Sequence, residues 1–147
     1  MGGKPSRDVA VLLLLAFAFG VSGCQTLGGR KIVVQIRDAG GLRGGEAVYM
    51  AGIRIGSTGE PRLVNGVAHV PVTIYRAHKD ALPGGSVFLL SPDPNEKSRQ
   101  AFLVTACSQG QRDQKDPEVF AGAPTQIEFI AMCGVEKAKE LLQDLAK

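Results

Sequence analysis

Residues 41–60 read GLRGGEAVYMAGIRIGSTGE. Glycines stand at Gly41, Gly44, Gly45, Gly52, Gly56 and Gly59, yet Val48, Tyr49, Met50, Ile53 and Ile55 keep an apolar, β-like stretch between them. A flexible linker would lack those apolar residues. A phosphate-cradling loop would lead into a helix, and no helical pattern follows these glycines. Short strands joined by tight bends remain: candidate strands at 46–50 and 53–56 flank a turn at Ala51-Gly52. Gly45 suits a turn with φ > 0 and Gly52 a hairpin bend, while Gly56 lets a second backbone come close, as at a barrel corner. Leu42 and Val48 are expected to plug the core between the bends.

Outward from this stretch the β pattern continues. Residues 31–37 (KIVVQIR) form a β-branched run ahead of it. Behind it, Asn65-Gly66 separates 61–64 from 67–75, predicting a two-residue type I′ hairpin because both central residues need φ > 0. Within 67–75, Val70, Val72 and Ile74 alternate with His69, Pro71, Thr73 and Tyr75, which sets one face inward. Pro71 has no N–H for a ladder, so a free edge or a bulge is expected there. Leu82-Pro83-Gly84-Gly85 is a further turn before a strand at 86–91, and strands are also predicted at 101–107 and 125–132. Residues 91–100 (SPDPNEKSRQ) and 108–124 read as polar loops, the second holding only Val119 and Phe120 as large apolar residues. Short strands, frequent turn signals and no βαβ alternation give an all-β chain, a small barrel or sandwich.

The chain closes differently. In 135–147 (VEKAKELLQDLAK), Val135, Ala138, Leu142 and Leu145 follow 3-4-3 spacing with Leu141 beside them, and the other face is charged. This is an amphipathic helix with a narrow seam, too short to stand alone. It either docks on its own barrel or associates with the same helix of other copies.

The N-terminus carries a different kind of information. Lys4 and Arg7 precede the apolar run VAVLLLLAFAFG at 9–20, which has the length of a signal-peptide core and falls short of a membrane span. Val21-Ser22-Gly23-Cys24 then resembles the lipobox of bacterial lipoproteins. The resemblance implies removal of residues 1–23, acylation of Cys24 as lipid attachment site, and a short tether over 24–30. The alternatives are an ordinary secretory signal or a retained short anchor helix. Gln25 after the cysteine is not the aspartate that resembles an inner-membrane retention signal, which points to the outer membrane rather than the inner.

Without Lys4, Arg7 and Asp8 the mature chain carries a net charge of about +2, too mild to argue for nucleic acid. Trp is absent and aromatic residues make up 5%, so exposed stacking platforms are not expected. With Cys24 acylated, Cys107 and Cys133 remain. An exported compartment permits a disulfide between them, contributing about 3–4 kcal/mol by the loop-entropy model. The alternative is a pair of buried thiols.

The spacing of Gly41, Leu42, Gly45, Val48, Gly52 and Gly56 resembles the signature of the mammalian cell entry (MCE) domain, GL-x-x-G-x-x-V-x-x-x-G-x-x-x-G, entered from a strand. Leu82-Pro83 resembles a family turn, and the terminal helix resembles the one after the barrel in MlaD-like proteins. The resemblance implies a seven-stranded β-barrel over 31–133 followed by the amphipathic helix at 134–147. It also implies a homohexameric ring in the bacterial envelope, facing the periplasm, that binds or passes phospholipid or another hydrophobic molecule beside the permease and ATPase of an ABC transporter. Lipidated members occur, although an N-terminal membrane helix is commoner. The sequence departs from the family at the segment that commonly lines the ring's central pore. Here Pro92, Asp93, Pro94 and Asn95 stand where leucines are usual. A charged loop offers an acyl chain little of the roughly 0.8 kcal/mol that each buried CH₂ gains in an apolar lining. The departure favours an adaptor lipoprotein that keeps the barrel and conducts no lipid as the rival reading.

Catalytic and metal chemistry find no support. His69 and His78 are not joined by cysteines or acids at zinc spacing, Asp93-x-Asn95 lacks the rest of a calcium loop, and no serine nucleophile motif occurs. No enzyme activity, cofactor or metal is therefore expected.

Overall fold

The computed structural model describes residues 28–107, 116 and 118–146. The expected signal peptide and Cys24 lie outside them. Strand β1 (Arg30–Ile36) alternates as its sequence demands, burying Ile32, Val34 and Ile36. β2 (Ala47–Met50) and β3 (Ile53–Thr58) form a hairpin across the turn Ala51-Gly52, with φ of 50° and 76° there. A second hairpin joins β4 (Arg62–Val64) and β5 (Val67–Ile74) across Asn65-Gly66, at 51° and 81°. Both turns thus have two successive positive φ angles, the type I′ condition. β6 (Ser86–Pro92), β7 (Gln100–Ala106) and β8 (Val119–Ala123) complete the strands.

The hydrogen-bonded order is β1-β8-β6-β7-β2-β3-β5, and β5 pairs back onto β1, so seven strands close into a barrel with β4 attached to β5 as an extra strand. One edge of β5 is shared. β4 takes its residues 67–69, and β3 takes 72–74. Pro71 sits at the changeover, where its carbonyl accepts from the Gly59 N–H (2.7 Å). A strand residue's N and O point to the same side, so the missing donor faces the break and no ladder bond is lost.

Val48, Val70, Val72, Ile74, Phe88, Phe102 and Val104 fill the barrel interior, all at most 1% exposed, as expected for a barrel this narrow. Phe102 and Phe120 each meet Phe88 edge to face, with ring centroids 5.6 and 5.7 Å apart. A second apolar layer lies outside the wall. There Tyr49, Val87, Leu89 and Leu103 are covered by two helices, α1 (Gln126–Cys133) and α2 (Val135–Leu145), through Phe129, Ala138 and Leu141.

Two expectations are corrected here. Where a strand was expected over 125–132, the chain forms the helix Gln126–Cys133. Thr125 is extended at the N-cap and its hydroxyl accepts from the Glu128 N–H (3.2 Å), so TQIE acts as a helix start. Ile127 and Phe129, which alternation would set on one face, separate: Ile127 is 79% exposed and Phe129 1%. The final strand comes instead from the segment read as a polar loop, at Val119–Ala123, and it runs parallel to both neighbours, β1 and β6. The barrel is therefore followed by two helices, not one. No helix among the described residues is long and apolar enough to cross a membrane.

Candidate functional site

The glycine signature builds a corner of the barrel. Gly41 and Gly45 have φ of 80° and 82°, and Leu42 between them is buried in the interior cluster. The corner is held by buried polar groups. The Thr58 hydroxyl accepts from the Glu46 N–H (3.0 Å) and donates to the Arg43 carbonyl (2.7 Å). The Glu46 carboxylate, itself 5% exposed as a residue, accepts from the Arg43 N–H (3.1 Å) and the Gln100 N–H (3.4 Å). Gly56 has no room for a side chain, since a Cβ there would stand 2.4 Å from the Thr73 carbonyl oxygen. Opposite it the ladder shifts between Val48 and Tyr49, leaving Ile55 as the extra residue of a bulge that turns inward. The signature residues thus shape the backbone: Gly41 and Gly45 at this corner, Gly56 at a close approach of two strands, and Gly52 at the tight turn at the other end of the β2–β3 hairpin.

The segment Pro92, Asp93, Pro94 and Asn95 opens the β6–β7 connection, with Pro92 paired to Gln100. Asp93 is buried and gathers the loop. Its Oδ1 accepts from the Asn95 N–H (2.7 Å), the Glu96 N–H (3.3 Å) and the Tyr49 hydroxyl (3.3 Å). Asn95 Nδ2 donates back to the Tyr49 hydroxyl (2.9 Å). Tyr49 belongs to the layer outside the barrel wall, so these bonds tie the loop to that wall. Pro94, Asn95, Glu96, Lys97 and Ser98 are exposed, and none offers a large apolar side chain.

Cys107 and Cys133 are joined by a disulfide, with Cα atoms 5.2 Å apart. It fastens the C-terminal end of α1 to the end of β7. Of the seam residues in the last helix, Ala138 and Leu141 are buried against the barrel, Leu142 is half-buried, and Val135 remains 54% exposed. α2 therefore docks on its own barrel. Of Leu145, only the backbone is described.

The topology separates two ends of the barrel. One end collects Gly28–Arg30, the Ala51-Gly52 turn, the 3-10 turn Arg76–His78 and the start of β6, because Arg30 pairs with Ile74 and Ser86 with Ala106. The other end collects the glycine corner, the β4–β5 hairpin and the Asp93 loop. Exposed apolar side chains occur at both: Ile53 at the first, and Leu63, Val64 and Val67 at the second. The ends were not legible in the sequence, because they follow from strand order. No group of three or more His, Cys, Asp or Glu side chains suited to a metal ion occurs among the described residues.

No protein-family model matches this chain, and no curated protein matches it. Solved structures do. The fold resembles a chain of the Acinetobacter MlaFEDB complex. That complex was captured in an ATP-bound conformation, and the match has a TM-score of 0.56 at 12% sequence identity, over 84% of this chain and 91% of the other. At this identity the likeness is one of fold: a closed barrel with the same overall course.

Proposed function

We propose that this chain is a lipid-anchored, MCE-type subunit of a bacterial envelope system that moves phospholipid or another hydrophobic molecule beside an ABC transporter. The observation that carries the reading is the seven-stranded barrel with the glycine corner at 41–56, shared in fold with a chain of the MlaFEDB complex. In this reading Cys24 is acylated and holds the barrel to the membrane on the periplasmic side, the outer membrane being preferred to the inner. Copies assemble into a homohexameric ring. The chain works by binding and assembly and catalyses no reaction.

The interior packing constrains how such a subunit acts. Phe88, Phe102 and Phe120 fill the barrel, so an acyl chain passes between copies or along their outer surfaces. The Asp93 loop favours a second reading, in which the chain is an adaptor that keeps the barrel, joins a transporter or another ring, and carries no lipid. Its polar, outward-tied loop supplies no apolar lining. Native mass spectrometry of the full-length protein released gently from membranes separates the two. A hexamer with co-purifying phospholipid is expected from the transport reading. A lipid-free ring or a monomer overturns it in favour of the adaptor.

A further inference from the structure

The end of the barrel where the described chain begins carries a group of exposed cations around one exposed apolar side chain. Gly28 lies beside Arg76, since a Cβ on Gly28 would stand 3.6 Å from Arg76 Cδ. The Tyr75 N–H donates to the Ile55 carbonyl (2.8 Å), which brings the neighbouring residues Arg76 and Arg54 to the same end of the wall. Lys79 follows in the turn after β5, and Ile53 projects at the tip of the β2–β3 hairpin, 56% exposed. Arg54, Arg76 and Lys79 are exposed and form no ion pair with a described residue. The acidic groups described at this end are Asp80 in the same turn, Asp116, which accepts from the Glu118 N–H (2.9 Å), and Glu118, which faces Arg30 at 3.4 Å. At the opposite end Arg37 faces Glu128 and Arg99 faces Glu96, while Arg43, Arg62 and Lys97 are exposed and form no ion pair with a described residue, so it is the point of chain entry and not charge alone that distinguishes the two ends.

We propose that this end, with Ile53 at its apex and Arg54, Arg76 and Lys79 around it, rests directly on an anionic lipid surface. The inference builds on the reading of Cys24 as acylated. Three residues lie between Cys24 and Gly28, and a tether of four residue steps spans at most about 14 Å. The bilayer that holds the acyl chains therefore lies within reach of the end at which Gly28 enters, and the barrel cannot turn its far end to it. Exposed guanidinium and ammonium groups are what an anionic headgroup layer attracts, each strengthening partition about five-fold. A single isoleucine at a tight turn fits the interface, where a small apolar tip dips below the headgroups and flanking cations stay among them.

The test uses the full protein purified from membranes and reconstituted on vesicles of phosphatidylcholine alone or of phosphatidylcholine mixed with phosphatidylglycerol. Amide hydrogen exchange is read by mass spectrometry for segments 50–55 and 75–80, with the β4–β5 hairpin as internal reference. The expected result is slower exchange in both segments on the anionic vesicles, reversed by high salt, and no change at the hairpin. The combined variant Arg54→Gln, Arg76→Gln, Lys79→Gln should lose the difference between vesicles while keeping its melting temperature. Equal exchange on the two vesicles, or anion-dependent protection confined to the hairpin, overturns the proposal. The intact mass of the same sample reports acylation of Cys24 separately. An acylated chain without protection retains the anchor and rejects the lipid-facing end. A chain without acyl groups rejects the anchor, and the vesicle comparison still decides for or against the surface.

Discussion

At the scale of single residues, the glycines of the opening stretch do different jobs, and substitution separates them. Gly52 has φ of 76° and nothing within 4 Å of where a Cβ would stand, so its demand is purely conformational. Gly52→Val should destabilise the fold by about 1–2 kcal/mol, whereas Gly52→Asn, which tolerates the left-handed region, should cost little. Gly56 lies in ordinary strand backbone, and its constraint is the Thr73 carbonyl oxygen 2.4 Å from a Cβ. Gly56→Ala should cost about 1–3 kcal/mol by overpacking, and Gly56→Asn should rescue nothing. Urea denaturation of the four variants checks this. Equal losses for Gly52→Asn and Gly56→Ala would refute the distinction. Both roles were legible in the sequence because each is local or nearly so: glycine at a bend announces positive φ, and glycine inside an apolar run announces close approach. Gly122 shows the opposite case. A Cβ there would lie 2.8 Å from Ile36 Cβ and 2.9 Å from Val34 Cγ1, so the packing of a distant strand demands a glycine. Nothing near position 122 signals that demand, and the strand around it read as loop.

At the scale of elements, the two reading errors share a cause. Alternation at Ile127 and Phe129 mimicked a strand, while the competing signal, a capping threonine three residues before Glu128, was only four residues long. Thr125→Ala should cost about 1 kcal/mol and loosen α1 first, seen as faster amide exchange at 126–130. The disulfide holds the other end of that helix. Reduction, or Cys133→Ala, should lower stability by about 2–5 kcal/mol, measured by denaturant titration with and without reductant. An unchanged midpoint would mean that the staple restrains nothing. For α2 the heptad-like seam named its apolar residues without saying which of them face the barrel. Leu141 is 9% exposed and Val135 54%. Leu141→Ala should destabilise the single chain by about 2–3 kcal/mol, and Val135→Ala by less than about 0.5 kcal/mol. Should Val135→Ala instead reduce ring population in native mass spectra, the exposed end of the seam serves contacts between copies.

At the scale of the molecule, fold class was readable because closing a barrel needs only short strands and tight bends, both written locally. What the candidate site amounts to was not readable. Arg54 and Arg76 are far apart in sequence and join only because β3 lies against β5. The Asp93 loop read as a polar departure from a lipid-lining segment, but its attachment to Tyr49 depends on where β2 runs. The proposed anchoring at Cys24 would tie these surfaces to a direction in the cell. Cys24→Ala should move the protein from the membrane to the soluble fraction on fractionation, and retention of that variant in membranes would argue for a second attachment.

The position of β8 has a consequence for how the chain reaches this state. It inserts between β1 and β6, pairing Val33 with Val119, so the last strand made closes a gap left by the first. Contacts of such sequence separation slow folding, and until they form, the edges of β1 and β6 stay open to other chains. A chain delivered N-terminus first therefore cannot complete its barrel until nearly all of it has emerged. In the lipid-anchored state proposed above, that interval at a crowded membrane surface is when the risk of aggregation is greatest.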